Sequence, residues 1–138
     1  MSLILDASVA LSWLFERATE AERVRSNAIL EQLHDAPAMV PSLWLTEVLN
    51  AILVGERRKI NSAAESADFL ERLSLLNIIT DTVAPSARRD AVLGVARELS
   101  ISAYDATYVE LALRSGLPFA TFDTRLRKAT ESIGIKVI

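Results

Sequence analysis

The chain has 138 residues, of which 15 are Lys or Arg and 18 are Asp or Glu, for a formal charge of −3. That length suits one domain around one core, and 51% hydrophobic with 24% charged residues is a globular rather than a disordered composition. Cysteine is absent and His34 is the single histidine, which excludes a disulfide framework, a zinc–thiolate site, a thiol nucleophile and a multi-histidine metal site, and disfavours a histidine-based triad.

Leu3 to Leu5 is a short apolar run that predicts a strand, followed by a helical pattern from Ala7 to Phe15. Thr19-x-x-Glu22 reads as a capping box opening a helix to about Leu33. Ala38 to Val40 predicts a second strand ending at Pro41. Ser42 then caps a helix from Leu43 to Val54 that stops at Gly55. Glu56-Arg57-Arg58-Lys59 is a polar connection, and Ser62-x-x-Glu65 a further capping box for a helix to about Leu75. Asn77 to Thr80 is a third strand, and Pro85 suits the first turn of a helix to about Leu99. Ser102 opens a helix ending near Ser115-Gly116. Phe119 to Thr121 is a fourth strand, Thr124 to Ser132 a helix, and Ile135 to Ile138 a last strand. Short apolar strands alternating with longer helices predict βαβ units, a mostly parallel sheet and an α/β/α three-layer sandwich. One such domain is expected over 1–138. The opening MSLIL is too short for a signal-peptide core. No apolar run approaches the ~18 residues that span a bilayer, so no membrane segment and a cytoplasmic location are expected.

Most acids sit on helix faces that water solvates; four do not. Asp6 and Asp123 each follow a predicted strand and precede a helix, at the carboxyl edge where parallel sheets bind ligands. Both also suit helix N-caps. Glu47 lies in a helix where nine of the twelve residues from Leu43 to Val54 are apolar, a pattern that predicts burial. Its polar residues, Thr46, Glu47 and Asn50, form one narrow stripe that also contains Leu43 and Val54. That predicts a stripe closed to bulk water, where an unpaired carboxylate is costly; a partly wet surface seam is the alternative. Asp105 shares the i, i+3, i+4, i+7 face with Tyr108, Val109 and Ala112, while Thr107, Glu110 and Arg114 lie opposite, on the expected solvent side. Ser102-x-x-Asp105 also meets the capping-box pattern.

Four carboxylates converging at one sheet edge would repel, with raised pKa values, unless cations neutralise them. With no His or Cys ligands on offer, an all-oxygen site suits Mg²⁺ or Mn²⁺, and such sites favour phosphoryl chemistry. If those four acids are set aside as neutralised, the charge of −3 becomes +1. Arg125, Arg127 and Lys128, just after Asp123, and Arg17, past the first helix, are candidates to meet substrate phosphates; ordinary solvated surface is the alternative.

LILDASV, PSLWLTEVLNAI, ISAYDATYVELA and LPFATFDTRLRKA, in that order along almost the whole chain, resemble the PIN domain family, and within it the VapC-type toxin ribonucleases. The resemblance implies sheet order 3-2-1-4-5 and places the family's carboxylates on Asp6, Glu47, Asp105 and Asp123. Asp6 and Asp105 are then the direct metal ligands, and Glu47 and Asp123 complete the cluster directly or through water. Ser8, Asn50 and Thr121 match supporting polar positions. The implied activity is Mg²⁺- or Mn²⁺-dependent endonucleolytic cleavage of RNA by a metal-activated water, leaving a 3′-hydroxyl and a 5′-phosphate. Implied partners are an RNA substrate, a cognate antitoxin that lays a helical tail into an apolar groove, and a second copy in a homodimer. The segments around Trp13 to Phe15 and Leu43 to Val54 are the groove candidates.

Three other readings remain at this stage. A receiver-type phosphoacceptor would use Asp81, which follows the third strand, but needs an acid pair after the first strand. A haloacid-dehalogenase-like phosphatase needs an Asp where Ser8 stands. A non-catalytic interaction module would leave all four acids as helix caps.

Overall fold

Strands β1 (Leu3–Leu5), β2 (Ala38–Val40), β3 (Ile78–Thr80) and β4 (Phe119–Ala120) form one parallel sheet in the order β3-β2-β1-β4. They belong to a computed structural model that describes residues 1–15 and 19–138. The helices are α1 (Ala7–Leu11), α2 (Glu20–Gln32), α3 (Leu43–Arg57), α4 (Ala63–Ser74), α5 (Arg89–Leu99), α6 (Ala103–Ser115) and α7 (Thr124–Ser132), with a 3-10 turn over Pro85–Arg88. They flank the sheet in the expected three-layer α/β/α arrangement. Central β1 is buried at all three positions, as a parallel strand covered on both faces requires. Around it pack Val9, Val48, Tyr108, Val109, Leu111 and Leu126, all buried. The predicted last strand is reduced to a single parallel bridge of Val137 with Phe119, held by Phe119 N–H to Lys136 O (2.9 Å) and Ile138 N–H to Phe119 O (2.8 Å). That bridge lies beside β4, where the resemblance places a fifth strand.

The helix ends at α4 and α6 follow local chemistry, whereas Ser42, expected to cap α3, makes no side-chain capping bond. At α4 both halves of the Ser62–Glu65 capping box form. Ser102 Oγ accepts the Asp105 N–H at 3.1 Å to open α6, and Gly116, at φ +70°, closes it.

Several expectations need correction. The first helix ends at Leu11 and continues as turns through Leu14 rather than helix to Phe15. The third does not stop at Gly55 but runs on to Arg57. Gly55 is buried inside it, and a Cβ there would stand 2.0 Å from Asn61 Oδ1 and 3.0 Å from the Phe15 ring. The glycine is thus a close-packing position, not a stop. Nor is α3 buried all round: Trp44, Val48 and Ile52 face the core, while Leu45, Leu49 and Leu53 form an exposed row. Glu110, assigned to the solvent side of α6, is buried at 4% exposure.

Candidate functional site

Asp6 is carried directly out of β1, and its N–H donates to Ala120 O at 3.0 Å, which ties the carboxyl ends of β1 and β4 together. Although it occupies the N-cap position of α1, its side chain makes no capping bond. Its carboxylate instead accepts from two hydroxyls, Ser8 Oγ at 2.6 Å and Thr121 Oγ1 at 2.7 Å, both on Oδ2. Each hydroxyl is itself oriented by a backbone donor: Phe122 N–H to Ser8 Oγ (3.1 Å) and Asp123 N–H to Thr121 Oγ1 (3.1 Å). Because each oxygen already accepts from an amide, its own proton is turned toward Asp6. Phe122 and Asp123 thereby hold a carboxylate more than a hundred residues away in the chain.

Asp123 does serve as the cap of α7, accepting Leu126 N–H at 3.0 Å on Oδ1, with its side chain otherwise exposed. Asp105 stands half-buried in the first turn of α6, one turn before Tyr108. Glu47 is half-buried on α3 and accepts a short hydrogen bond from the Tyr108 hydroxyl on Oε1. Asn50, one turn further along α3, is exposed and makes no hydrogen bond among the described residues. The supporting trio of the sequence reading therefore divides: Ser8 and Thr121 hold Asp6, and Asn50 holds none of the acids.

Charge repulsion links the carboxylates: Asp123 acts on Asp6 and Asp105, Asp6 on Asp105, and Asp6 and Asp105 on Glu47. Burial pushes the Asp6 carboxyl up, its two hydroxyl donors pull it back, and Asp123 adds a further push. Glu47 is raised by burial, lowered by its Tyr108 bond, and raised again by Asp6 and Asp105. Asp105 is raised by burial and then by Asp123 and Asp6, with smaller opposing contributions from Ser102 and Arg125. Tyr108 is held far above the ordinary phenol range by burial and by the anionic Glu47 beside it, so it stays protonated as a donor. Among the described residues no three His, Cys, Asp or Glu side chains gather tightly enough to chelate an ion as they stand. The donor chemistry nonetheless suits a hard cation: carboxylate and hydroxyl oxygens, in a chain with no cysteine and a single histidine.

Two features escape a reading of the sequence alone. Helical spacing puts Tyr108 with the packing residues of α6, yet of the three that share the face with Asp105 it alone carries a polar atom that burial forces to find a partner. Its position three residues after Asp105 was the available signal. Glu110 accepts from Arg88 (3.0 Å) and Arg114 (3.1 Å), and Arg114 also binds Asp81 at 2.6 Å. These four link the end of β3 to α6. They also line a cavity of about 140 Å³ that none of the four site acids borders. With Asp81 committed to Arg114, the phosphoacceptor reading loses its acid. Of the basic residues, exposed Arg125 lies in electrostatic reach of Asp105, whereas Arg127 is committed to Ile138 O (2.8 Å) and Glu131 (3.4 Å). Lys128 is exposed, and Arg17 lies outside the described residues.

A family model of the PIN domain matches residues 3–132. Among solved structures the chain is similar to PAE2754 from Pyrobaculum aerophilum, at 23% identity and a TM-score of 0.70 over 99% of this chain and 83% of that one. It is also similar to FitAcB from Neisseria gonorrhoeae, at 17% identity and a TM-score of 0.65 over 100% of this chain and 96% of that one. At these identities the likeness is one of fold. No curated protein matches the chain.

Proposed function

The chain belongs to the PIN domain family, whose members are generally metal-dependent nucleases, and from that premise we propose that it is an Mg²⁺- or Mn²⁺-dependent endoribonuclease acting as the toxin of a toxin–antitoxin pair. The observation that carries the proposal is the Asp6 carboxylate, buried at the carboxyl edge of β1 and β4 and held by the Ser8 and Thr121 hydroxyls instead of capping α1, within electrostatic reach of Glu47, Asp105 and Asp123. Three of the four are raised in pKa, and among the described residues none forms an ion pair of the kind Arg114 makes with Asp81, Arg125 acting on Asp105 only as the smallest contribution. A folded chain that keeps such repulsion at the ligand-binding edge of its sheet has a use for it in a bound cation.

Asp6 and Asp105 would hold the ion, with Glu47 and Asp123 completing its surroundings. When bound, the ion supplies charge neutralisation and lowers the pKa of water at the site. Ser8 and Thr121 fix the Asp6 carboxylate, so that its direction is set before a ligand arrives. Arg125, exposed near Asp105, is placed to meet a phosphate of the substrate.

The partner surfaces have candidates too. Trp13, Leu30, Phe69, Leu73 and Leu76 line a mostly apolar cavity of about 260 Å³, with His34 and Arg72 at its border, suited to the apolar face of an antitoxin helix. No residue of α5 is buried, although the helix is amphipathic, with Leu93 at 45% exposure; a second copy of the chain would cover it. No helix among the described residues is long and apolar enough to cross a membrane.

Titration calorimetry with Mn²⁺ and cleavage of RNA with mapped ends test the proposal. The wild-type chain should bind Mn²⁺ and cleave RNA only with metal present, and Asp6→Asn with Asp105→Asn should do neither while staying folded. Metal-independent cleavage, or Mn²⁺ binding unchanged in that double variant, would overturn it.

A further inference from the structure

We propose that Tyr108 is a positioning residue of the metal site, acting through Glu47; the inference rests on the metal-dependent reading above and extends it to a residue outside the carboxylate set. Tyr108 is wholly buried, and its ring stacks on Phe119 of β4 with centroids 5.8 Å apart and 28° between planes. The ring is therefore fixed by the sheet, and the hydroxyl at its end is fixed with it. That hydroxyl donates to Glu47 Oε1, joining α6 to α3. Glu47 Oε2 makes no hydrogen bond among the described residues, so one oxygen of the carboxylate is anchored and the other is left to the site.

The geometry answers a mechanical problem. A glutamate on a helix has three side-chain torsions and would turn away from Asp6 and Asp105, which both repel it. The phenol holds it facing them without adding charge. A lysine or arginine in its place would neutralise Glu47 and remove it from cation binding, whereas a neutral donor leaves the full negative charge available. The plain alternative is that the tyrosine merely satisfies its own buried hydroxyl. The two readings differ in whether losing the hydroxyl is felt at the metal.

The test measures Mn²⁺ affinity of the full chain by electron paramagnetic resonance of the unbound ion, beside thermal melting. Tyr108→Phe keeps the ring and its stacking and should weaken Mn²⁺ binding about tenfold, the lower end of what losing a support of a metal ligand costs. Phe119→Leu, which loosens the stacking but spares the hydroxyl and its bond to Glu47, should lower the melting temperature and cost less Mn²⁺ affinity than Tyr108→Phe. In a Glu47→Ala background, chains with tyrosine or phenylalanine at position 108 should bind Mn²⁺ equally, whether weakly or not at all. Unchanged affinity in Tyr108→Phe, an equal loss in Phe119→Leu, or a further drop on Tyr108→Phe in the Glu47→Ala background would overturn this inference alone. Absence of Mn²⁺ binding by the wild-type chain would overturn the metal-dependent reading with it.

Discussion

Replacing Asp105 with asparagine should raise the melting temperature of the metal-free protein and abolish its response to Mn²⁺. The carboxyl is raised in the folded state by burial and by the charges of Asp123 and Asp6. A carboxyl raised on folding contributes stability that is fully present below its unfolded pKa and is lost as pH rises through its folded pKa. Above that folded pKa the metal-free chain therefore carries the whole deficit. Repulsion between two carboxylates falls from about 4 kcal/mol at contact to about 1 kcal/mol at longer range at the dielectric of a protein surface, and is about 1 kcal/mol at contact in bulk water. Asp105 is half-exposed, so water screens part of it, and its place in the first turn of α6 returns about 0.3–1 kcal/mol through the helix dipole. The remaining gain from Asp105→Asn is about 0.5 kcal/mol, or roughly 2 °C in a domain of this size. The N-cap is unaffected, because Ser102 binds the backbone N–H of residue 105 and not its side chain. For the wild-type chain, Mn²⁺ at a hundred times its Kd should add about 2.7 kcal/mol, roughly 10 °C. Scanning calorimetry of both proteins at pH 7, with and without Mn²⁺, reads both effects. A lower melting temperature in metal-free Asp105→Asn together with an unchanged Mn²⁺ shift would give that carboxylate a purely local role, and the argument for convergence would fail.

Thr121→Val should cost about 1–3 kcal/mol in urea unfolding, because it leaves the Asp123 N–H without its acceptor and takes one of two hydroxyl donors from Asp6; a loss below ~0.5 kcal/mol would show the network to be slack. Glu110→Ala leaves Arg88 without its carboxylate and Arg114 with Asp81 alone; because both guanidiniums reach solvent, it should destabilise by about 1–3 kcal/mol, read in the same assay. Asp81 behaves oppositely to the site acids: its hydrogen bond with Arg114 holds its carboxyl below the usual range. Its contribution is present above the unfolded pKa and is lost as pH falls through the folded one. Unfolding between pH 5 and 2 should therefore show a stability drop that Asp81→Asn flattens. Gly55→Ala should destabilise by about 1–3 kcal/mol despite the better helix propensity of alanine, because the new methyl overlaps Asn61 Oδ1; a stabilised variant would mean that Asn61 moves freely.

The alternation of apolar runs and capped helices was enough to read the sandwich, because strands buried on both faces must be apolar throughout and helix ends must find partners for their free N–H groups. Ser62–Glu65 and Ser102 announce α4 and α6 with local chemistry, and the structure uses both. What the periodicity could not show was which apolar face of α3 meets the core. Trp44, Val48 and Ile52 do so, and Leu45, Leu49 and Leu53 carry the same period without being covered. A helix apolar on two faces is equally consistent with a central position and with a surface that another chain covers. Gly55 misled for a related reason. Glycine after an apolar stretch ordinarily ends a helix, but here the missing side chain makes room for Asn61, a partner six residues on that no local rule predicts.

The site divides along the same line. Asp6 and Asp123 stand out because strand ends have known positions at the sheet edge, and Asp105 because its helical spacing lines it up with the packing residues of α6. For Asp6 and Asp123 the capping alternative looked equally strong in the sequence. The structure separates them: Asp123 caps its helix, while Asp6, at the same kind of position, gives its carboxylate to Ser8 and Thr121 instead. The difference lies in what surrounds each group. Asp6 is buried between β1 and β4 and is reached by hydroxyls from α1 and from the end of β4, whereas Asp123 stands at the rim and caps its own helix. Side-chain bonds between residues distant in the chain, such as Tyr108 to Glu47 and Arg114 to Asp81, leave no periodic trace. They become legible only through a demand: a polar atom on a face that packing will bury must meet another such atom. Applied to α6, that demand selects Tyr108 on one face and Glu110 on the other, the two residues through which the helix bearing Asp105 is fixed to α3 and to the end of β3.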